Sequence, residues 1–243
     1  MAGGFASSLM KVNNALVRKA LIFLFPPPPF INCIPKRERK LITDLLFTDQ
    51  KIRIVDIGGG VSKGPGNWLF ENLHHKVVNI DIEHGKNVDI QGSVYELAEL
   101  TSNVDVIIAQ SLIEHLEYPD RAIIQIFDAL RMGGHAYIEI PFMQGVHGDP
   151  DDFQRYTMSG LEAKFRSHGF KVIKSGISGG PVGSLVWIIC DLLSNVSNYR
   201  YLNLIIRFIL RWFLSPLRYL DKLIYSTNAA KRLACEYYIV VQK

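Results

Sequence analysis

Apolar residues follow two rhythms along this 243-residue chain. Between 52 and 180, short unbroken apolar runs alternate with stretches whose apolar residues recur every three or four positions. The runs at 52–57, 76–81, 87–90, 104–109, 135–141 and 171–175 read as strands. The stretches at 67–73, 121–131 and 159–168 read as helices. A final run at 234–241 supplies a seventh strand. Strand–helix alternation with runs buried on both faces predicts an α/β fold, its mostly parallel sheet covered on both sides.

The flanks have a different pattern. Residues 36–50 predict a helix with a charged start and an apolar face through Leu41, Leu45 and Leu46. Residues 5–25 predict an amphipathic helix, stopped by four prolines at 26–29 that supply no amide donors. Residues 181–225 form an apolar helical stretch. The excursion of about 50 residues before the last strand is too long for an ordinary connection, so it should have its own structure and purpose. The expected division is therefore an N-terminal attachment at 1–51, a core at 52–180, a helical insertion at 181–232 and a core strand at 233–243.

Charge follows the same division. Residues 1–51 hold eight Lys or Arg against three acids, and 181–232 hold seven against two. The core between them holds eleven against seventeen. An acidic core is a poor nucleic-acid surface, so no nucleic-acid partner is expected and the basic flanks need another explanation. Cys33, Cys190 and Cys235 lie far apart without metal-binding spacing, so no metal site is legible and buried thiols in a reducing compartment are expected. No segment has the roughly 18–20 nearly uncharged residues of a membrane span, and no cleavage site follows the first apolar run.

The candidate chemistry begins at the first strand, which runs into Asp56-Ile57-Gly58-Gly59-Gly60-Val61-Ser62. A glycine turn between strand and helix lets a nucleotide-like ligand approach the backbone. Lys63 occupies the place of the third glycine of a dinucleotide fingerprint, and no Gly-Lys-Ser/Thr ending follows to grip phosphates. A cofactor with an amino-acid tail fits this turn better than one with a pyrophosphate. Asp81 ends the second strand 25 residues after Asp56, with two acceptor oxygens for a ribose diol.

Val55-Asp56-Ile57-Gly58-Gly59-Gly60 resembles the first motif of class I S-adenosylmethionine-dependent methyltransferases, and Asn79-Ile80-Asp81-Ile82 the second. The segment 88–94 is similar to their adenine-contacting segment, and 104–116 to their fourth strand and following loop. The resemblance implies a Rossmann-like seven-stranded methyltransferase sheet with S-adenosyl-L-methionine as cofactor. It implies roles by position. Asp56 orients the glycine loop and the methionine amino group, Gly58, Gly59 and Gly60 allow close approach, and Asp81 takes the ribose. Ile82 packs on the adenine, Ser93 and Val94 meet its edge, and the Gln110 main-chain carbonyl meets the methionine amino group. Ser62 and Ser93 depart from the pattern, and both departures imply weaker cofactor affinity. The Glu114-His115 pair, which recurs in the family, either fixes a loop or takes part in catalysis.

The loop after the fifth strand concentrates titratable groups between His147 and Thr157. It is either functional or a solvated turn before a helix capped by Thr157 or Ser159. Its His-x-x-Pro-x-Asp-Phe-x-Arg-Tyr-Thr pattern resembles a branch of methyltransferases associated with bacterial glycan and envelope pathways. On that resemblance His147 is the expected general base, with Asp152, Arg155 and Tyr156 positioning a hydroxyl or carboxylic acceptor. In the insertion, Asn203, Arg207 and Arg211 are spaced by four and form one stripe on an otherwise apolar helix. Such a stripe suits the headgroup boundary of an anionic membrane, and a lid or dimer surface is the alternative. The expected function is methyl transfer to oxygen of a lipid-linked or envelope-glycan precursor, at the cytoplasmic membrane face. The alternatives are a methyltransferase for a soluble metabolite and a cofactor-binding module that recruits partners.

Overall fold

The computed structural model describes residues 31–47, 52–59, 67–70, 75–148 and 151–243. The expected helix at 5–25, its prolines and Gly60 lie outside them. Seven strands form one sheet: β1 (Ile54–Ile57), β2 (Val77–Asp81), β3 (Ile90–Gln91), β4 (Val104–Gln110), β5 (Leu130–Pro141), β6 (Lys171–Gly179) and β7 (Glu236–Gln242). Their order is β3-β2-β1-β4-β5-β7-β6, with β7 antiparallel to both neighbours and the remaining pairs parallel. The chain winds outward from β1 in one direction, then returns to β4 on the other side. The crevice at the carboxyl ends of β1 and β4 is where such sheets take ligands.

The central strands divide their side chains between two cores by simple alternation. In β4, Ile107 and Ala109 join one cluster while Val106 and Ile108 join the other. Tyr137 and Tyr238, from β5 and β7, stack at 5.8 Å on the second face. The helix α1 (Lys36–Leu46) covers that face, burying Ile42 and Leu46. The segment that the charge pattern groups with the N-terminal attachment is thus part of the core.

Other elements differ from the pattern for local reasons. Helix α3 (Pro119–Ala129), which follows α2 (Leu97–Leu100), starts two residues early because Pro119 suits the first helical turn. It stops before β5, which begins at Leu130 rather than 135. Gly133, with φ +77°, and Gly134, where a Cβ would lie 2.9 Å from the Val104 carbonyl, let β5 run so close to β4. A 3₁₀ turn, Asn67–Leu69, occupies the start of the expected helix at 67–73. Helix α4 (Met158–Ser167) is capped by Thr157, whose hydroxyl accepts from the Gly160 N–H.

The insertion folds into α5 (Pro181–Leu193), α6 (Arg200–Leu214), a 3₁₀ segment Ser215–Leu220, α7 (Asp221–Ile224) and α8 (Asn228–Arg232). Its orientation corrects the sequence expectation. The polar stripe of α6 faces the end of α5 instead of a membrane. Asn203 donates to the Ser197 carbonyl at 2.7 Å, and Arg207 donates to Ser194 Oγ at 3.1 Å and lies 3.4 Å from Asp191 Oδ1. Arg211 is half-buried. The physical cause is the group of side-chain oxygens at the α5 C-terminus, Asp191 Oδ1, Ser194 Oγ and Asn195 Oδ1, together with the negative end of the helix dipole, which attract the guanidinium. No residue of α6 is buried, and Leu204, Ile205, Phe208 and Phe213 point outward. Among the described residues no helix is long and apolar enough to cross a membrane.

Candidate active site

A cleft of about 620 Å³ opens at the carboxyl ends of β1, β2 and β4. Asp56, one residue before the end of β1, and Asp81, the last residue of β2, are nearly buried. Gly58 follows with φ +81°, a left-handed conformation, and its N–H donates to the Ile80 carbonyl at 2.8 Å. At Gly59 a Cβ would fall 2.5 Å from Asp56 Oδ2, so the carboxylate packs under bare backbone. Asp81 Oδ1 accepts from the Glu83 N–H at 2.9 Å, and Ile82 beside it is 70% exposed within the cleft. Ser93 and Val94 line the same cleft. The Ser93 hydroxyl accepts from the Tyr95 N–H, capping the 3₁₀ turn Val94–Glu96. A cap explains a serine there independently of any adenine contact. The Gln110 side chain turns away from the cleft to donate to Glu139.

Ser111 is a lining residue that pattern reading misses. It holds φ +48° at the end of β4, and its N–H donates to the Glu139 carbonyl. A non-glycine residue in this region is a strained corner, of the kind found where a loop must present a ligand site. Only backbone geometry shows it.

Next to the cleft the substrate-side loop folds onto the turn after β4. The Phe153 N–H donates to the Glu114 carbonyl at 2.8 Å, and Gln154 Nε2 to the Leu116 carbonyl at 2.7 Å. These bonds bring Glu114, His115 and His147 together. Nε2 of His115 and of His147 lie 3.7 and 3.9 Å from Glu114 Oε1, and the two rings meet edge to face at 5.5 Å. Glu114 is fully buried, and among the described residues no other residue hydrogen-bonds either carboxylate oxygen. Burial pushes its carboxyl up to about 8, and pushes the His147 imidazole down.

Asp152 accepts from the His147 N–H at 2.9 Å and forms a forked ion pair with Arg155. Both Asp152 oxygens are thereby committed, and the pair holds the shape of the His147 loop. Tyr156 donates to Gln154 and packs on the core. Another wall comes from the insertion: Trp187 of α5 lies against His147 at 5.7 Å. No local motif marks Trp187, because its role depends on α5 returning to the loop.

The cleft fits its expected cofactor. Among the described residues lining it there is no lysine or arginine, whereas Asp81, Glu83, Glu117 and Asp151 are present. The four acids suit a sulfonium cation. Asp81 offers acceptors to a ribose diol, Ile82 offers a flat apolar surface, and the glycine turn offers close backbone approach.

Fold and site together define a class I, Rossmann-like methyltransferase. A methyltransferase-domain family model matches residues 34–175, more than half of the chain, and the chain belongs to that family. It is an enzyme whose cofactor is S-adenosyl-L-methionine. Solved structures share the fold at low identity. An S-adenosylmethionine-dependent methyltransferase from Archaeoglobus fulgidus is 15% identical over 84% of this chain and 94% of its own, with a TM-score of 0.50. A sarcosine dimethylglycine methyltransferase from Galdieria sulphuraria, so assigned provisionally, is 12% identical over 85% and 83%, with a TM-score of 0.52. The [4+2]-cyclase SpnF is 15% identical over 85% and 80%, also at 0.52. One fold thus carries different chemistries, and the acceptor has to be argued from the site. No curated protein sequence gives a significant match.

Proposed function

We propose that the enzyme methylates an oxygen of a lipid-linked acceptor, such as an envelope-glycan precursor, while docked on an anionic membrane surface. S-adenosylmethionine supplies a methyl group already activated on sulfur. The protein's work is to hold the acceptor in line and assist loss of its proton. Asp81 and Ile82 hold the nucleoside. The acceptor oxygen meets the cleft beside His147, Glu114 and His115, with Arg155 and Tyr156 keeping that loop in place.

One observation carries the membrane part of this reading. The helix that walls the site with Trp187 also carries Leu185 and Leu192 on its outer side, 56% and 64% exposed. The neighbouring α6 hides its polar stripe and presents Leu204, Ile205 and Phe208. An outward apolar surface of this extent marks a binding surface. Exposed Lys222, Lys231 and Arg232 in the same insertion add positive charge suited to anionic headgroups. A lipid tail could lie on that surface while its head group reaches the cleft.

Flotation with anionic vesicles tests the docking. Wild-type protein should rise with the vesicles, and Leu204→Ser with Phe208→Ser should remain at the bottom while staying folded, because these side chains contribute apolar burial. High salt should weaken wild-type binding only in part. Arg207→Glu should act differently from a headgroup contact: it places two acids together and loosens α6 from α5. Monodisperse wild-type protein that stays down contradicts the membrane reading.

A further inference from the structure

We infer that Glu114, His115 and His147 bind a divalent first-row transition-metal ion at the edge of the cofactor cleft, with an open position for an oxygen of the acceptor. The ligand atoms of these three residues lie within 4.8 Å of one another. Compactness alone says little, since three titratable groups often meet at a protein surface. The hydrogen bonds around them say more.

Each imidazole has its Nδ1 beside a main-chain carbonyl, that of Asp151 for His115 and that of Gly145, at 3.2 Å, for His147. A carbonyl can only accept, so the ring proton of neutral His115 sits on Nδ1, and the Gly145 carbonyl favours the same tautomer for His147. Arg155 Nη2, which gives one N–H to Asp152 Oδ2 at 2.5 Å, lies 3.2 Å from His147 Nδ1 and 3.4 Å from the Gly145 carbonyl, which can take its second N–H. In that tautomer both Nε2 atoms are bare, and they lie 3.7 and 3.9 Å from Glu114 Oε1. Three lone-pair donors converge, and one of them belongs to a fully buried carboxylate to which no other described residue donates a hydrogen bond. A proton on Glu114 could serve only one of the two nitrogens. A cation serves all three ligands, and it makes sense of the two carbonyl contacts, which are the usual outer partners of metal-bound histidine.

Distances agree with such an ion. Ligands each about 2.1 Å from a tetrahedral metal lie roughly 3.4 Å apart, so binding needs an inward movement of about 0.3–1.4 Å. Two imidazoles with one carboxylate suit Zn²⁺, Mn²⁺ or Co²⁺ better than Mg²⁺ or Ca²⁺, which favour oxygen ligands. His115 lines the cleft together with Ser111, Tyr118 and Phe153, which puts the cluster at the cleft's edge. The clause about the acceptor rests on the methyl-transfer reading, whereas the metal site rests on the cluster alone. With the ion in place His147 is a ligand, and its part in proton removal runs through the metal instead of through a free base.

Calorimetric titration of untagged, chelator-treated protein with Zn²⁺ and with Mn²⁺ tests the site, without cofactor or acceptor present. One equivalent should bind, and excess Mg²⁺ should not displace it. Bound Co²⁺ should show the visible absorption of an ion with mixed nitrogen and oxygen ligands. Glu114→Gln and His147→Ala should each weaken binding by more than the roughly 10–100-fold that loss of an outer partner costs. S-adenosylhomocysteine binding checks that both variants are folded and should be unchanged, since neither residue lines the cleft. No metal binding by the wild type, or binding indifferent to Glu114→Gln, overturns the inference, and intact S-adenosylhomocysteine binding would then leave the methyltransferase reading standing. Failure to bind S-adenosylhomocysteine with normal metal binding would instead count against the cofactor reading.

Discussion

Asp81 ends β2 beside the bare turn at Gly58 and Gly59, nearly buried, with one carboxylate oxygen fixed by the Glu83 N–H. This makes it a rigid acceptor for a ribose diol. Asp81→Ala should therefore weaken S-adenosylhomocysteine binding by about 1.5–3 kcal/mol, the range for hydrogen bonds to a charged group, read by calorimetry. NAD should not bind. Undiminished affinity in the variant would remove Asp81 from the site. At this scale the sequence was informative where function follows from local structure. Strand periodicity places Asp56 and Asp81 at neighbouring carboxyl ends, and a turn of glycines needs no tertiary contact to be recognised. Glu114 and His147 are 33 positions apart, and long-range contacts such as the Phe153 and Gln154 hydrogen bonds bring them together. No spacing rule shows that meeting, nor the left-handed corner at Ser111.

Among the elements, the strands were legible and the insertion was legible only in part. The parallel core strands are apolar on both faces, so they read as continuous runs. The spacing of Asn203, Arg207 and Arg211 correctly marks one polar stripe on α6, but a stripe has no direction by itself. Its partner, Asp191, lies 16 residues before Arg207 on a different helix. A second long-range device fixes the insertion. Asp221, fully buried at the start of α7, accepts from the Val182 and Gly183 N–H groups at 2.8 Å and so caps α5 from a distant part of the chain. Gly180 makes room for it, since a Cβ there would fall 2.2 Å from the Asp221 Cγ. Asp221→Ala leaves two helix N–H groups without their acceptor and should cost about 2–3 kcal/mol in denaturant unfolding. Gly180→Ala should loosen the same latch. If both variants are as stable as the wild type, α5 is held by other contacts.

At the scale of the molecule, an acidic nucleotide-binding sheet carries a basic insertion with its polar stripe turned inward and its apolar side chains outward. α5 links the two, with Trp187 against the His147 loop and leucines on the opposite side. Through Trp187 and the His147 loop, α5 thus connects an exposed apolar surface to the neighbourhood of the cofactor cleft. A soluble acceptor would leave that surface without a use, whereas a lipid-borne one uses both. Incubating the protein with S-adenosylmethionine labelled in its methyl group, Mn²⁺ and a total envelope extract tests this directly. After phase separation the account predicts label in the organic phase, as a lipid-linked product stable to mild base in the manner of an ether. Label confined to the aqueous phase, on a soluble metabolite, would contradict it.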